Sequence, residues 1–134
     1  MRSLIWSLGF FGLFILTSAK VTQWHFQGQV RCEHEKSLEG KRKILFKVVQ
    51  EHALYSNLVC LNHTIDSSGM FNVSCNATAN DNAVIYFYHA CDGICRLYYN
   101  DRSDKIRIDW NDIVLGKYDI RRDDAECSAE IYEE

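Results

Sequence analysis

The stretch Tyr88-His89-Ala90-Cys91-Asp92-Gly93-Ile94-Cys95-Arg96 brings a histidine, two cysteines and an aspartate close together. Such residues could hold zinc, form a redox couple or close a covalent cross-link. Zinc takes four tetrahedral ligands, or three and a water. The pattern His-x-Cys-x-x-x-Cys offers no second close pair, so no metal is expected. A thioredoxin-like couple has two residues between its cysteines and a βαβ setting, and this stretch has neither. The cross-link is the preferred reading, provided that the chain meets an oxidising compartment. The paired acids Asp123-Asp124 and Asp101 with Asp104 sit in polar runs and read as solvated surface.

The N-terminus predicts that compartment. Arg2 precedes an apolar run from Leu4 to Leu16, and Thr17-Ser18-Ala19 supplies small residues for cleavage. This is the layout of a secretory signal peptide. Residues 1–19 are expected to be removed, leaving residues 20–134 as a secreted, extracellular domain with no transmembrane segment. The apolar run falls short of the roughly 20 residues that span a bilayer. Removing 19 of 134 residues leaves 115, enough for one domain with one core. Loss of Arg2 takes the formal charge from −3 to −4, which argues against generic nucleic-acid binding.

All six cysteines, Cys32, Cys60, Cys75, Cys91, Cys95 and Cys127, follow the leader. An even number in a small exported chain predicts disulfides. The sequons Asn62-His63-Thr64, Asn72-Val73-Ser74 and Asn76-Ala77-Thr78 lie within seventeen residues and predict N-glycosylation.

The elements that must position these residues read as seven or eight short strands, an all-β antiparallel sandwich. Alternation sets Trp24, Phe26, Gly28, Val30 and Cys32 on one face. Residues 43–51 are β-branched and aromatic, apolar on both faces near Leu45 to Val49. Residues 57–65 lead into the turn Asp66-Ser67-Ser68-Gly69, where glycine relieves the steric cost of positive φ. Phe71, Val73 and Cys75 then face one way, with Asn72 and Ser74 outward. Residues 83–91 form the strongest strand. Ile85, Phe87, His89 and Cys91 share a face, so His89 is expected to be a core histidine bonded to the backbone. Residues 95–99 and 105–110 suggest one further strand interrupted at Asn100 to Asp104, and residues 117–121 and 126–132 close the chain. Cys60 and Cys75 lie symmetrically about the Ser67-Ser68 turn and would face each other in a simple hairpin.

In the order and spacing of these pieces, residues 26 to about 120 resemble the nematode transthyretin-like family of secreted domains. Gly28 to Cys32 matches its Gly-x-x-x-Cys strand, and Lys41 to Val49 its lysine-rich turn and alternating strand. Asp66, Gly69 and Phe71 match an Asp-x-x-Gly-x-Phe turn. Phe87-Tyr88-His89-Ala90-Cys91 with Cys95-Arg96 matches an Ile-Tyr-His-x-Cys segment followed by cysteine and arginine, and Tyr118-Asp119-Ile120 a late Tyr-Asp-Ile. The chain departs from the pattern at Ser37 and Ile108-Asp109, which replace proline positions, and at Arg121, which replaces glycine. Cys60, Cys75 and Cys127 lie outside it. The resemblance implies a transthyretin-like sandwich in which Cys32, Cys91, Cys95 and Cys127 gather at one end and make two bridges. It also implies that the strands bearing Cys60 and Cys75 belong partly to different sheets, which weakens the hairpin pairing.

Three functional classes follow. An enzyme needs a nucleophile with a base, paired carboxylates or a metal. 5-Hydroxyisourate hydrolase shares the transthyretin fold and ends in Tyr-Arg-Gly-Ser; this chain ends Glu130-Ile131-Tyr132-Glu133-Glu134, without the arginine that would hold an anionic substrate. No catalysis and no cofactor are expected. A small hydrophobic ligand carrier resembling transthyretin is the alternative. The preferred class is an extracellular recognition module that presents loops and a sheet face to a protein or cell-surface partner, with Tyr98, Tyr99 and Trp110 as candidate contacts. The basic clusters Lys41-Arg42-Lys43 and Arg121-Arg122 read as solubilising charge rather than as sites for acidic lipids or glycans.

Overall fold

A computed structural model describes residues 21–51, 57–78, 81–102 and 107–133, apart from the side chains of 101, 102 and 107–109. The expected leader, residues 1–19, and Asp104 lie outside the described residues. The strands in chain order are β1 (Val21–Cys32), β2 (Leu45–Glu51), β3 (Leu58–Thr64), β4 (Met70–Thr78), β5 (Asn82–His89), β6 (Arg96–Arg102), β7 (Arg107–Leu115) and β8 (Ile120–Arg121). They form two sheets, one ordered β4-β1-β7 and one ordered β3-β2-β5-β6-β8.

The all-β, two-sheet reading holds, with two corrections. The pairing is not wholly antiparallel, because β1 and β7 run parallel, Phe26 opposite Ile108 and Cys32 opposite Leu115. The interrupted strand expected over 95–110 is two strands in different sheets. β6 pairs with β5, whereas β7 lies beside β1. The polar run Asn100 to Asp104 lies where the chain passes between strands that belong to different layers.

Alternation along β1 buries Trp24, Phe26, Val30 and Cys32, and β5 buries Ile85, Phe87 and His89. Their apolar side chains meet between the layers. Phe46 from β2 lies 5.8 Å from Phe26, 5.0 Å from Phe71 and 4.7 Å from Phe87, ring centroid to centroid. It thus touches both sheets at once. Such rings stabilise through buried apolar area, with about 0.5–1.5 kcal/mol more per well-placed aromatic pair.

The Asp66–Gly69 turn forms as its sequence requires. Asp66 Oδ1 accepts from the Ser68 amide at 2.9 Å, an Asx-type local bond. Gly69 has φ +75°, and a Cβ there would sit 2.2 Å from the Val30 carbonyl oxygen. Only glycine fits without displacing β1.

The end of the chain differs from the strand expected over 126–132. It folds back along residues 40–44 through a single bridge between Arg42 and Ile131. Tyr132 accepts from Gly40 N and donates its own amide to Lys41 O, and Glu130 O accepts from Lys43 N. The Tyr132 hydroxyl is buried, donating to Ile65 O at 2.5 Å and accepting from Ile44 N at 3.0 Å. Lys43 Nζ sits 2.9 Å from Glu130 and holds that carboxyl below the usual range.

Tyr132→Phe leaves a buried acceptor and a buried donor without a partner, so it should cost about 1–3 kcal/mol, read by urea unfolding. Burial raises the pKa of this tyrosine above its ordinary 10.0. Its contribution is therefore complete below the unfolded-state pKa of about 10 and declines as pH rises towards the folded value. Wild-type protein should lose stability above that pH more steeply than Tyr132→Phe; parallel alkaline denaturation profiles for the two would count against this.

Candidate functional site

The three disulfides are Cys32–Cys91, Cys60–Cys75 and Cys95–Cys127. The first joins the end of β1 in one sheet to the turn just after β5 of the other, with Cα atoms 5.4 Å apart. The second joins β3 to β4, each an edge strand of its own sheet. The third ties the loop before β6 to the C-terminal segment. The pair Cys60–Cys75 forms, but not in a hairpin: its two strands belong to different layers.

Within residues 88–96, every group that suggested metal or redox chemistry has a structural employment. The sulfurs of Cys91 and Cys95 are cross-linked to different partners. His89 is fully buried. Its Nε2 lies 2.7 Å from Asp119 Oδ2, and its Nδ1 accepts from the Cys91 amide at 3.3 Å. Since Nδ1 accepts, Nε2 carries the proton and donates. The expected backbone bond is present but secondary; the main partner is a carboxylate. Asp92 receives Arg96 at both oxygens, 3.1 and 3.0 Å from Nε, and this contact lowers the Asp92 pKa. Gly93, at φ +86°, closes the loop with its amide on Ala90 O at 2.9 Å. Among the described residues no three His, Cys, Asp or Glu side chains are grouped as metal ligands.

The basic cluster is engaged as well. Lys41 Nζ donates to Cys91 O at 3.0 Å, Arg42 donates to Ser128 O at 2.6 Å and pairs with Asp124, and Lys43 meets Glu130. Asp123 caps the short 3-10 turn Asp124–Glu126. Arg42 and Lys43, read from sequence as solubilising charge, fasten the C-terminal segment to the sandwich, Lys41 holds the turn after β5, and Asp123 and Asp124 are exposed as expected. Arg121 and Arg122 are exposed.

A surface suited to contact lies on the outer face of the five-stranded sheet. Register sets Asn62 opposite Lys47, Lys47 opposite Tyr86 and Tyr86 opposite Tyr99, a row across four strands. The adjacent row runs Thr64, Leu45, Tyr88, Leu97 and Ile120, with Leu97 covered. Tyr86 lies 6.2 Å from Tyr88 and 5.6 Å from Tyr99 by ring centroid. Tyr99 is 49% exposed and Ile120 55%. Leu45, Lys47, Asn62, Tyr88 and Glu126 border a depression of about 200 Å³. Partial burial raises the pKa of Tyr88, and the Glu126 carboxylate adds to the effect, so its hydroxyl stays a neutral donor and acceptor.

Of the candidate contacts, only Tyr99 lies on this face. Tyr98 turns inward against Phe87 at 5.9 Å, and Trp110 packs on Phe71 at 5.9 Å in the other sheet. Neighbouring strand residues face opposite ways, so Tyr98 and Tyr99 cannot share a surface. Tyr86 and Tyr88 went unselected in the sequence although the same rule marks them: with Phe87 and His89 inward, both must face out. Asn62, Asn72 and Asn76 are exposed, on β3 and β4.

No family model, characterised protein or solved structure matches the chain. Among the described residues no helix is long and apolar enough to cross a membrane.

Proposed function

We propose that the protein is a secreted, N-glycosylated recognition module of transthyretin-like type. It performs no catalysis and offers the Tyr86–Tyr88–Tyr99 face to an extracellular protein or cell-surface partner. The observation that carries this reading is the tyrosine row itself. Three aromatic rings with hydroxyl tips lie side by side on an outer sheet face, flanked by Lys47 and Glu126. Tyrosines supply large contact area at low entropic cost and concentrate in binding hot spots. Support for secretion comes from the commitment of all six cysteines to disulfides and from three exposed sequon asparagines. The transthyretin-like reading is supported by β3 and β4 lying in separate sheets. The two bridges among Cys32, Cys91, Cys95 and Cys127 point the same way.

The test is capture from extracellular fractions with the glycosylated chain as bait. Tyr86→Ala combined with Tyr99→Ala should weaken capture at least 10-fold, the loss of one or more hot-spot contacts of about 2 kcal/mol. Far-ultraviolet circular dichroism and intact disulfide mass serve as fold controls. Undiminished capture by the double variant would remove the tyrosine face from the reading. Light scattering on deglycosylated protein distinguishes the carrier alternative, for which the expected result is a tetramer holding a small hydrophobic molecule.

A further inference from the structure

The depression beside the tyrosine row carries its own point of attachment. Leu45, Lys47, Tyr88 and Glu126 border it together with Asn62, the acceptor residue of the sequon Asn62-His63-Thr64. Register sets these strand residues on one face: Asn62 pairs with Lys47, Lys47 with Tyr86, and Leu45 with Tyr88. The intervening Phe46 and Phe87 are fully buried, so Lys47 and Tyr88 point out of the sandwich. Asn62 is exposed. A sugar carried on its Nδ2 therefore starts on the tyrosine face, at the rim of the depression.

The lining suits such an occupant. The half-buried Tyr88 ring and Leu45 offer apolar surface to the C–H face of a pyranose. Lys47 supplies donors and Glu126 acceptors for the hydroxyl and acetamido groups at its edge. Asn62 lies on β3 and Tyr88 on β5, two strand spacings or about 10 Å apart, a distance that two linked sugar rings cover. At about 200 Å³ the hollow is smaller than the roughly 300–1,000 Å³ of sites for free small molecules. A tethered sugar needs less contact, because its link holds it at an effective concentration of about millimolar order.

We propose that the first two N-acetylglucosamine units carried by Asn62 lie over this depression, one ring face on Tyr88, and cover that end of the tyrosine row. The inference rests on the secreted, glycosylated reading above and narrows its surface: a partner meets Tyr86 and Tyr99, with the sugar as the border. In the modification Asn62 Nδ2 attacks C1 of a lipid-diphosphate-linked oligosaccharide. The N–C1 bond forms, the C1–O bond to the diphosphate breaks, and one proton passes from Nδ2 to water. Asn72 and Asn76 lie on β4, in the other sheet, so their sugars take no part.

The experiment is hydroxyl-radical labelling of the full chain made in secretory cells, with peptide mass spectrometry reading both labelling and sugar occupancy. Tyr88 should label roughly fivefold more slowly with sugar on Asn62 than in Asn62→Gln, a factor equivalent to about 1 kcal/mol of contact. Thr64→Ala, which removes the sequon at a second exposed position, should match Asn62→Gln. Tyr99, on β6 beyond Tyr86, should label alike in all three. Retention of the three disulfides is the fold control for each variant. Equal labelling of Tyr88 with and without the sugar would overturn the proposal. So would equal protection of Tyr88 and Tyr99, the mark of a glycan that sweeps the surface without a seat. An Asn62 left bare in a chain carrying sugar at Asn72 or Asn76 would overturn it too, and leave the secreted reading standing. A chain with no sugar at any sequon would overturn both.

Discussion

Replacing Cys32 and Cys91 together by alanine should lower stability by about 4 kcal/mol, the loop-closure value for a cross-link spanning 59 residues. Replacing Cys60 and Cys75 should cost about 3 kcal/mol, since that bridge spans 15. Small domains have a total stability of about 5–15 kcal/mol, so the first variant stands close to unfolding. Urea denaturation under oxidising conditions measures the difference. The ordering depends on each bridge acting through the unfolded chain. Equal losses for the two pairs would mean that native contacts around the sulfurs matter more. Thiol counting on the folded wild type is the direct check on the bridges, with no reactive thiol expected before reduction.

Asp119→Ala should be the next most damaging change among those considered, at roughly 3 kcal/mol. Asp119 Oδ2 accepts from His89 Nε2 at 2.7 Å and from Gly116 N at 3.0 Å. His89 is wholly buried, and each buried donor left without an acceptor costs about 1–3 kcal/mol. Asp119→Asn is the informative companion. Its amide oxygen can take the place of Oδ2 and receive both donors, so the loss should fall to about 1 kcal/mol, the difference between a charge-assisted and a neutral bond. A loss for Asn as large as that for Ala would show that the negative charge, rather than the acceptor geometry, holds the imidazole. Chemical denaturation at pH 7 of both variants decides this.

Strands such as β1, β4 and β5 were legible because they carry a period of two with one apolar face. Phe26, Phe71 and Phe87 were placed inward by that rule alone, and they are core. The turn at Gly69 was legible from local chemistry. What failed was anything that depended on the destination of a strand. Nothing in residues 96–115 says that the chain leaves one sheet after Arg102 and enters the other at Arg107, so two strands read as one. Cys60 and Cys75 were paired for a reason the fold does not use: a hairpin and a pair of facing sheet edges both bring them together. The partner of His89 was invisible because Asp119 is 30 residues away, and no local pattern links them. The tyrosine face was half legible. Tyr99 was selected for its aromatic type, but Tyr86 and Tyr88 needed the inward direction of Phe87 applied to its neighbours.

The bridge between β3 and β4 bears on how the molecule fails. Edge strands are where sandwiches normally begin to peel, exposing backbone that can recruit other chains into fibrils. Here each of these two edges is riveted to the other layer, so neither can detach alone without reduction. Peeling by heat is then left to the opposite side of the sandwich, where β7 is an edge strand without a bridge. The riveted side sheds no sticky ribbon until its sulfurs are reduced.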